Sequence, residues 1–120
     1  MKYTIDNHRW GPYNRKLRED HVDLLYSLYK KYGFSTWRTD SDLLPEDRSK
    51  RQYFLERMFW TFKFIHKDRP STDVISNYSR NQKQMVHYSI TPKGLKVLIQ
   101  LGYTVDDKDV AYVAREELRN

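Results

Sequence analysis

No cysteine occurs in the chain. Its absence excludes disulfide scaffolds, cysteine-ligated zinc fingers and thiol nucleophiles. Glycine is scarce, with four in 120 residues, and none of them builds a glycine-rich phosphate loop. The opening residues, Met1 to Asp6, lack the apolar stretch of a signal peptide. No run approaches the roughly 20 apolar residues that span a bilayer. The expected setting is therefore a soluble, cytoplasmic protein that does not engage a membrane. Hydrophobic residues make up only 38% against 32% charged, which disfavours the large buried core of an enzyme. Metal-ligand spacing is missing as well, because His8, His21, His66 and His87 are scattered over different segments. Ser27 and Lys30 match S-x-x-K by chance, inside an apolar helical pattern. Asp40, Asp42 and Asp47 stand where carboxylates cap helices. The expectation is no catalytic residues, no metal, no cofactor and no small-molecule ligand.

Aromatics, by contrast, are abundant: ten Tyr, five Phe and three Trp, or 15%. A disordered basic tail is poor in such residues, so the chain is expected to fold, and its length suits one domain. The net charge of +6 is modest but unevenly spread. Residues 1–18 carry +4, residues 19–47 carry −4, residues 48–96 carry +8 and residues 97–120 carry −2. A basic central block between acidic flanks suggests a face for a polyanion.

The residue pattern predicts a mostly helical α+β domain. Residues 1–15 form an N-terminal arm, in which Trp10-Gly11-Pro12-Tyr13 is a turn between aromatic rings. Val22, Leu25, Leu28, Tyr29 and Tyr32 repeat at helical spacing, with Gly33 as the stop, which predicts a helix over 16–32. Phe34 to Arg38 reads as a short strand. Residues 39–44 offer N-caps for a short helix, which Pro45 either restricts to a turn or replaces with a helix of its own. Ser49-x-x-Gln52 fits a capping box, and the apolar stripe Phe54, Leu55, Met58, Phe59, Phe62, Ile65 predicts one long helix. Its second face carries Lys50, Tyr53, Arg57, Trp60, Phe64 and Lys67. Residues 74–78 and 85–90 alternate like strands around a polar, basic tip, the pattern of a β-hairpin. Thr91-Pro92 starts the next helix, Gly102 ends it, and Asp106-Asp107 caps a last one in the extension 103–120.

In order, these elements resemble a winged helix-turn-helix domain over 16–102. The segment His87-Tyr88-Ser89-Ile90-Thr91-Pro92-Lys93-Gly94-Leu95-Lys96-Val97-Leu98 is similar to the Y-x-[LI]-T-x-x-G-x-x-x-L signature that closes the wing in PadR-like and MarR-like regulators. The resemblance implies a two-stranded wing followed by a C-terminal helix, with the glycine keeping the first turn of that helix uncrowded. It implies double-stranded DNA as partner, and a small transcriptional regulator acting as a homodimer. The long helix would be the reader in the major groove, through Ser49, Lys50, Arg51, Gln52 and Tyr53, with Arg57 reaching only the backbone. Arg80 and Lys83 at the wing tip would touch phosphates or the minor groove, and Lys93 and Lys96 further phosphates.

Two other readings compete. The same fold can serve as a protein–protein module, for instance in a viral or plasmid-borne accessory protein. Trp60 and Phe64, with Trp10 from the arm, are then the partner-binding or dimer residues. A weaker option is single-strand or RNA binding through stacked Tyr and Trp rings.

Overall fold

The computed structural model describes residues 17–68 and 86–119. Within them the chain is α+β and mostly helical, with a small three-stranded antiparallel sheet. Helix α1 spans Glu19–Tyr32, strand β1 Trp37–Arg38, helix α2 Arg48–Glu56 with a continuing π turn Arg57–Thr61, strand β2 Ile65–Asp68, strand β3 His87–Ile90, helix α3 Pro92–Gln100 and helix α4 Asp107–Arg119.

Helix α1 forms because Val22, Leu25, Leu28 and Tyr29 fall on one buried face, with Glu19 and Asp20 at its positive end and Lys30 and Lys31 at its negative end. It starts at Glu19, later than the expected 16, because Leu17 forms a bridge and is fully buried. Gly33 ends it at φ 60°, donating its N–H to the Tyr29 carbonyl at 2.7 Å.

The expected short helix over 39–44 is instead a run of turns. Ser41 N–H bonds the Arg38 carbonyl and Leu44 N–H the Ser41 carbonyl, and buried Leu44 anchors the run. Helix α2 then starts directly from a loop. Its N-cap is Asp47, whose carboxylate accepts from Lys50 N–H at 3.0 Å, in place of the expected Ser49.

The predicted long helix stops early. At Arg57 the α-helical ladder widens into a π turn, with Phe62 N–H reaching back five residues to the Arg57 carbonyl at 3.0 Å. Lys63 then takes φ 60° and turns the chain into β2. Ile65 therefore lies in a strand, and Phe64 stacks on Phe62 at 5.1 Å with both rings in the core. β3 pairs with β2, and the segment 74–78, expected to be its partner, lies outside the described residues.

Strand order is β1-β3-β2, with Ile65 opposite Ile90 and Trp37 opposite Tyr88. The Trp37 and Tyr88 rings stack at 5.3 Å on the core side. Helix α3 is joined to the end of α2 by the Thr91 cap. Thr91 Oγ1 accepts from Gly94 N–H at 3.0 Å and donates to the Lys63 carbonyl at 2.9 Å, while Thr91 N–H bonds the Phe64 carbonyl. A Cβ on Gly94 would fall 2.3 Å from that same Phe64 carbonyl oxygen. Glycine is required there because backbone meets backbone. Helix α4 packs on α3 through Val113 and is tied to α1 by tyrosines.

Candidate nucleic-acid interface

The exposed side of α2 and its π turn carries Ser49, Gln52, Glu56 and Trp60, followed by Lys63 after the turn. Ser49, Gln52 and Glu56 are three or four residues apart, the spacing of a single face of α2. Asp47 holds the first turn, so Ser49, Lys50 and Gln52 stand at its solvent side. The Gln52 amide donates to the Glu56 carboxylate at 2.9 Å along that face.

Arg51 does not project outward as expected. It is half-buried, and its guanidinium folds back to the Pro45 and Glu46 carbonyls at 3.4 and 3.5 Å. It thus ties the helix to the preceding loop. Tyr53 is half-buried too, with its ring tilted against His21 at 5.3 Å.

Arg57, expected on the second face within reach of a backbone, is fully buried. Its guanidinium donates to the Tyr53 hydroxyl at 2.9 Å and sits 5.0 Å from the Phe62 ring centre. Arg57 follows buried Phe54 by three residues and precedes buried Met58, so it lies on the core side of the helix. Phe64 is likewise buried, past the helix end, and cannot serve as a surface aromatic. Trp60 alone of the expected aromatic face is strongly exposed, at 69%, with its ring edge-on to Phe59.

Lys93 is exposed with its ammonium 5.9 Å from the Phe64 ring centre, near the far end of α2. Lys96 is exposed but paired with Glu117 at 2.5 Å. Trp10, Arg80 and Lys83 lie outside the described residues. The expected set is therefore split. Ser49, Lys50 and Gln52 share the first turn of α2, whereas Lys93 lies by its end, roughly 20 Å along the axis at 1.5 Å per residue. Sequence reasoning missed Arg48 and Lys63 as further surface cations of this region. Lys63 becomes visible only once the positive φ places it on the turn between α2 and β2. Lys67, on β2, rests its ammonium over the Phe59 ring at 5.8 Å.

The electrostatics of α1 differ. Burial pushes the His21 imidazole down to about 4; the neighbouring Asp20 opposes this, and Arg18 and Arg57 add to it. His21 is neutral at physiological pH. Burial favours the neutral form of Asp20, but the hydrogen bonds and charge of Arg18, with His21, outweigh it and hold the carboxyl below its ordinary range.

Among the described residues, no group of three His, Asp or Glu side chains could hold a metal ion, and no helix is long and apolar enough to cross a membrane. Compared with known proteins, the chain matches no family model, no curated relative and no solved structure.

Proposed function

We propose that this chain is a winged helix-turn-helix protein that binds double-stranded DNA, a small transcriptional regulator of the cytoplasm. The observation that carries the reading is the sheet order β1-β3-β2 beside α2. That order sets a β2–β3 hairpin next to a helix whose first turn exposes Ser49, Lys50 and Gln52. Such a helix fits the major groove, Gln pairs with adenine edges, and Ser and Lys take phosphates. The residues between β2 and β3 include Arg69, Arg80 and Lys83 against one acidic residue, Asp73, a composition suited to a DNA backbone. The turns over 39–46 stand where the first helix of the motif belongs, so the reading rests on α2 and the sheet.

The test is competition for a labelled duplex, measured by fluorescence anisotropy. Duplex competitor should displace the probe well and single strands poorly. Replacing Lys50 and Gln52 together by Ala should weaken binding roughly a hundredfold at 1–3 kcal/mol per contact. Equal competition by single strands, or unchanged affinity in the double variant, overturns it.

Trp60 favours a second reading, a protein–protein module on the same fold. Trp60→Ala should then abolish partner capture while Lys50→Ala leaves it intact; the reverse pattern belongs to DNA binding. Homodimerisation is part of the leading proposal. Its support is helix α4, which exposes Leu118 at 88% together with Val110 and Tyr112. Light scattering tests it, with a monomer mass as the contradicting result.

A further inference from the structure

We propose that Trp60 is a stacking platform for an unpaired nucleobase, so that the protein prefers a duplex with a single-stranded end over a blunt one. The inference rests on the DNA-binding reading and adds to it the kind of DNA that is bound.

Trp60 is 69% exposed, and its ring contact is with Phe59, edge-on at 4.9 Å. Most of the indole therefore stands in water at the far end of the helix. Three lysines gather at this end. Lys67 Nζ lies 5.8 Å from the Phe59 ring centre. Lys63 follows Trp60 by three residues, on the turn into β2. Thr91 bonds the Lys63 carbonyl, which brings the start of α3 to the same turn and sets Lys93 Nζ 5.9 Å from the Phe64 ring centre. Among the described residues none of these three lysines forms an ion pair. Asp68 pairs with His66 at 3.1 Å, on the strand face opposite Lys67. Glu56, one turn before Trp60, accepts from the Gln52 amide. Three ammoniums thus outweigh one carboxylate beside the indole.

The lysines alone suit any polyanion, a duplex backbone included. The indole narrows the choice. Bases paired in a duplex are stacked on their neighbours and offer only their edges in the grooves. An unpaired base offers a free face to an aromatic ring, and its own strand brings phosphate to the ammoniums. The turn also keeps its cation at a backbone cost, because Lys63 holds φ 60°, which glycine adopts without strain. Trp60 lies beyond Gln52 by about 12 Å along the helix axis. That is the rise of roughly three to four stacked bases. The first turn of α2 and the indole can thus engage the paired and the unpaired parts of one DNA end.

The experiment measures fluorescence anisotropy of the full chain with a blunt duplex and with the same duplex carrying a short thymidine tail, 3′ or 5′. A tail of at least one polarity should tighten binding about tenfold. An abasic tail has the same phosphates and should give less than about twofold. The gain should hold from about 50 to 200 mM salt, because stacking releases no counterions. Trp60→Ala, at an exposed position, should erase the gain and leave blunt-duplex affinity unchanged, while Trp60→Phe keeps a ring and part of the gain. No gain from either tail, an equal gain from the abasic tail, or a full gain in Trp60→Ala overturns the proposal, with blunt-duplex binding intact. Failure of the blunt duplex to bind is instead a failure of the DNA-binding reading. Stacking is then decided by the Trp60 indole N–H signal in NMR, which should move with a thymidine oligonucleotide and stay still with an oligoglutamate. No movement, or equal movement with oligoglutamate, overturns it.

Discussion

Two parts of the described fold differ sharply in charge and in how they are held together. Residues 48–68 and 86–96, which make α2, β2, β3 and the start of α3, contain eight basic and two acidic residues. Residues 17–47 and 97–119, which make α1, β1 and α4, contain seven basic and twelve acidic. In the second part carboxylates close the structure. Tyr29 donates to Asp109 at 2.5 Å, Tyr103 to Asp23 at 2.6 Å, and Tyr26 to the Thr104 carbonyl at 2.8 Å. These bonds clasp α1 to the chain entering α4. Burial, and then the bonded carboxylates, push both Tyr29 and Tyr103 up to about 12. In the first part three cations are spent internally, Arg57 in the core, Arg51 on the loop and Lys96 on Glu117. Arg48, Lys50, Lys63, Lys67 and Lys93 face or reach the surface. The difference teaches that acidity serves assembly in one part, while most cations of the other stay at the surface.

The strongest way to break this comparison is at the joint. Gly94→Val should cost about 3 kcal/mol or more in urea denaturation, because a side chain there collides with the Phe64 carbonyl and pries α3 from the end of α2. Acid is next. His21 titrates near 6.5 when unfolded and near 4 when folded, so the unfolded state binds the proton first. Stability is then unaffected by this group above pH 6.5, falls as pH drops from 6.5 toward 4, and loses about 3 kcal/mol over that window. His21→Leu should flatten the profile there. Tyr29→Phe removes a clasp bond to a carboxylate and should cost about 1–2 kcal/mol while leaving duplex-DNA affinity unchanged. That separation of stability from binding would sharpen the division between the two parts. Lys96→Ala breaks an exposed pair with Glu117 and should change stability by about 0.5 kcal/mol or less in thermal melts.

Local signals read well where they acted alone. The apolar spacing and Gly33 delimit α1, Thr91-Pro92 starts α3, Asp106-Asp107 starts α4, and the alternation of Val86, Tyr88 and Ile90 marks β3. Reading failed where distant residues decide. Phe62 and Ile65 continue a helical period, yet the chain leaves the helix between them. What fixes the exit is Thr91, which bonds the Lys63 carbonyl from 28 positions downstream, and Gly94, which lets α3 sit on Phe64. No pattern within residues 49–67 contains that information. Of the candidate site, the first turn of α2 was legible because capping residues mark it. The burial of Arg57 was not, because its guanidinium is received by the Tyr53 hydroxyl and the Phe62 ring, and Phe62 comes beside it only where the chain leaves the helix. The gathering of Lys63, Lys67 and Lys93 at the Trp60 end of α2 joins a turn, a strand and a second helix, a juxtaposition that only the tertiary structure supplies.

The most direct test of DNA binding through the α2 part is the salt dependence of duplex affinity. Five surface cations on phosphates predict that log K falls against log salt with a slope of about −4 or steeper, and that Lys50→Gln lowers the slope by about one. Micromolar or weaker binding with a nearly flat slope, unchanged by Lys50→Gln, would contradict it.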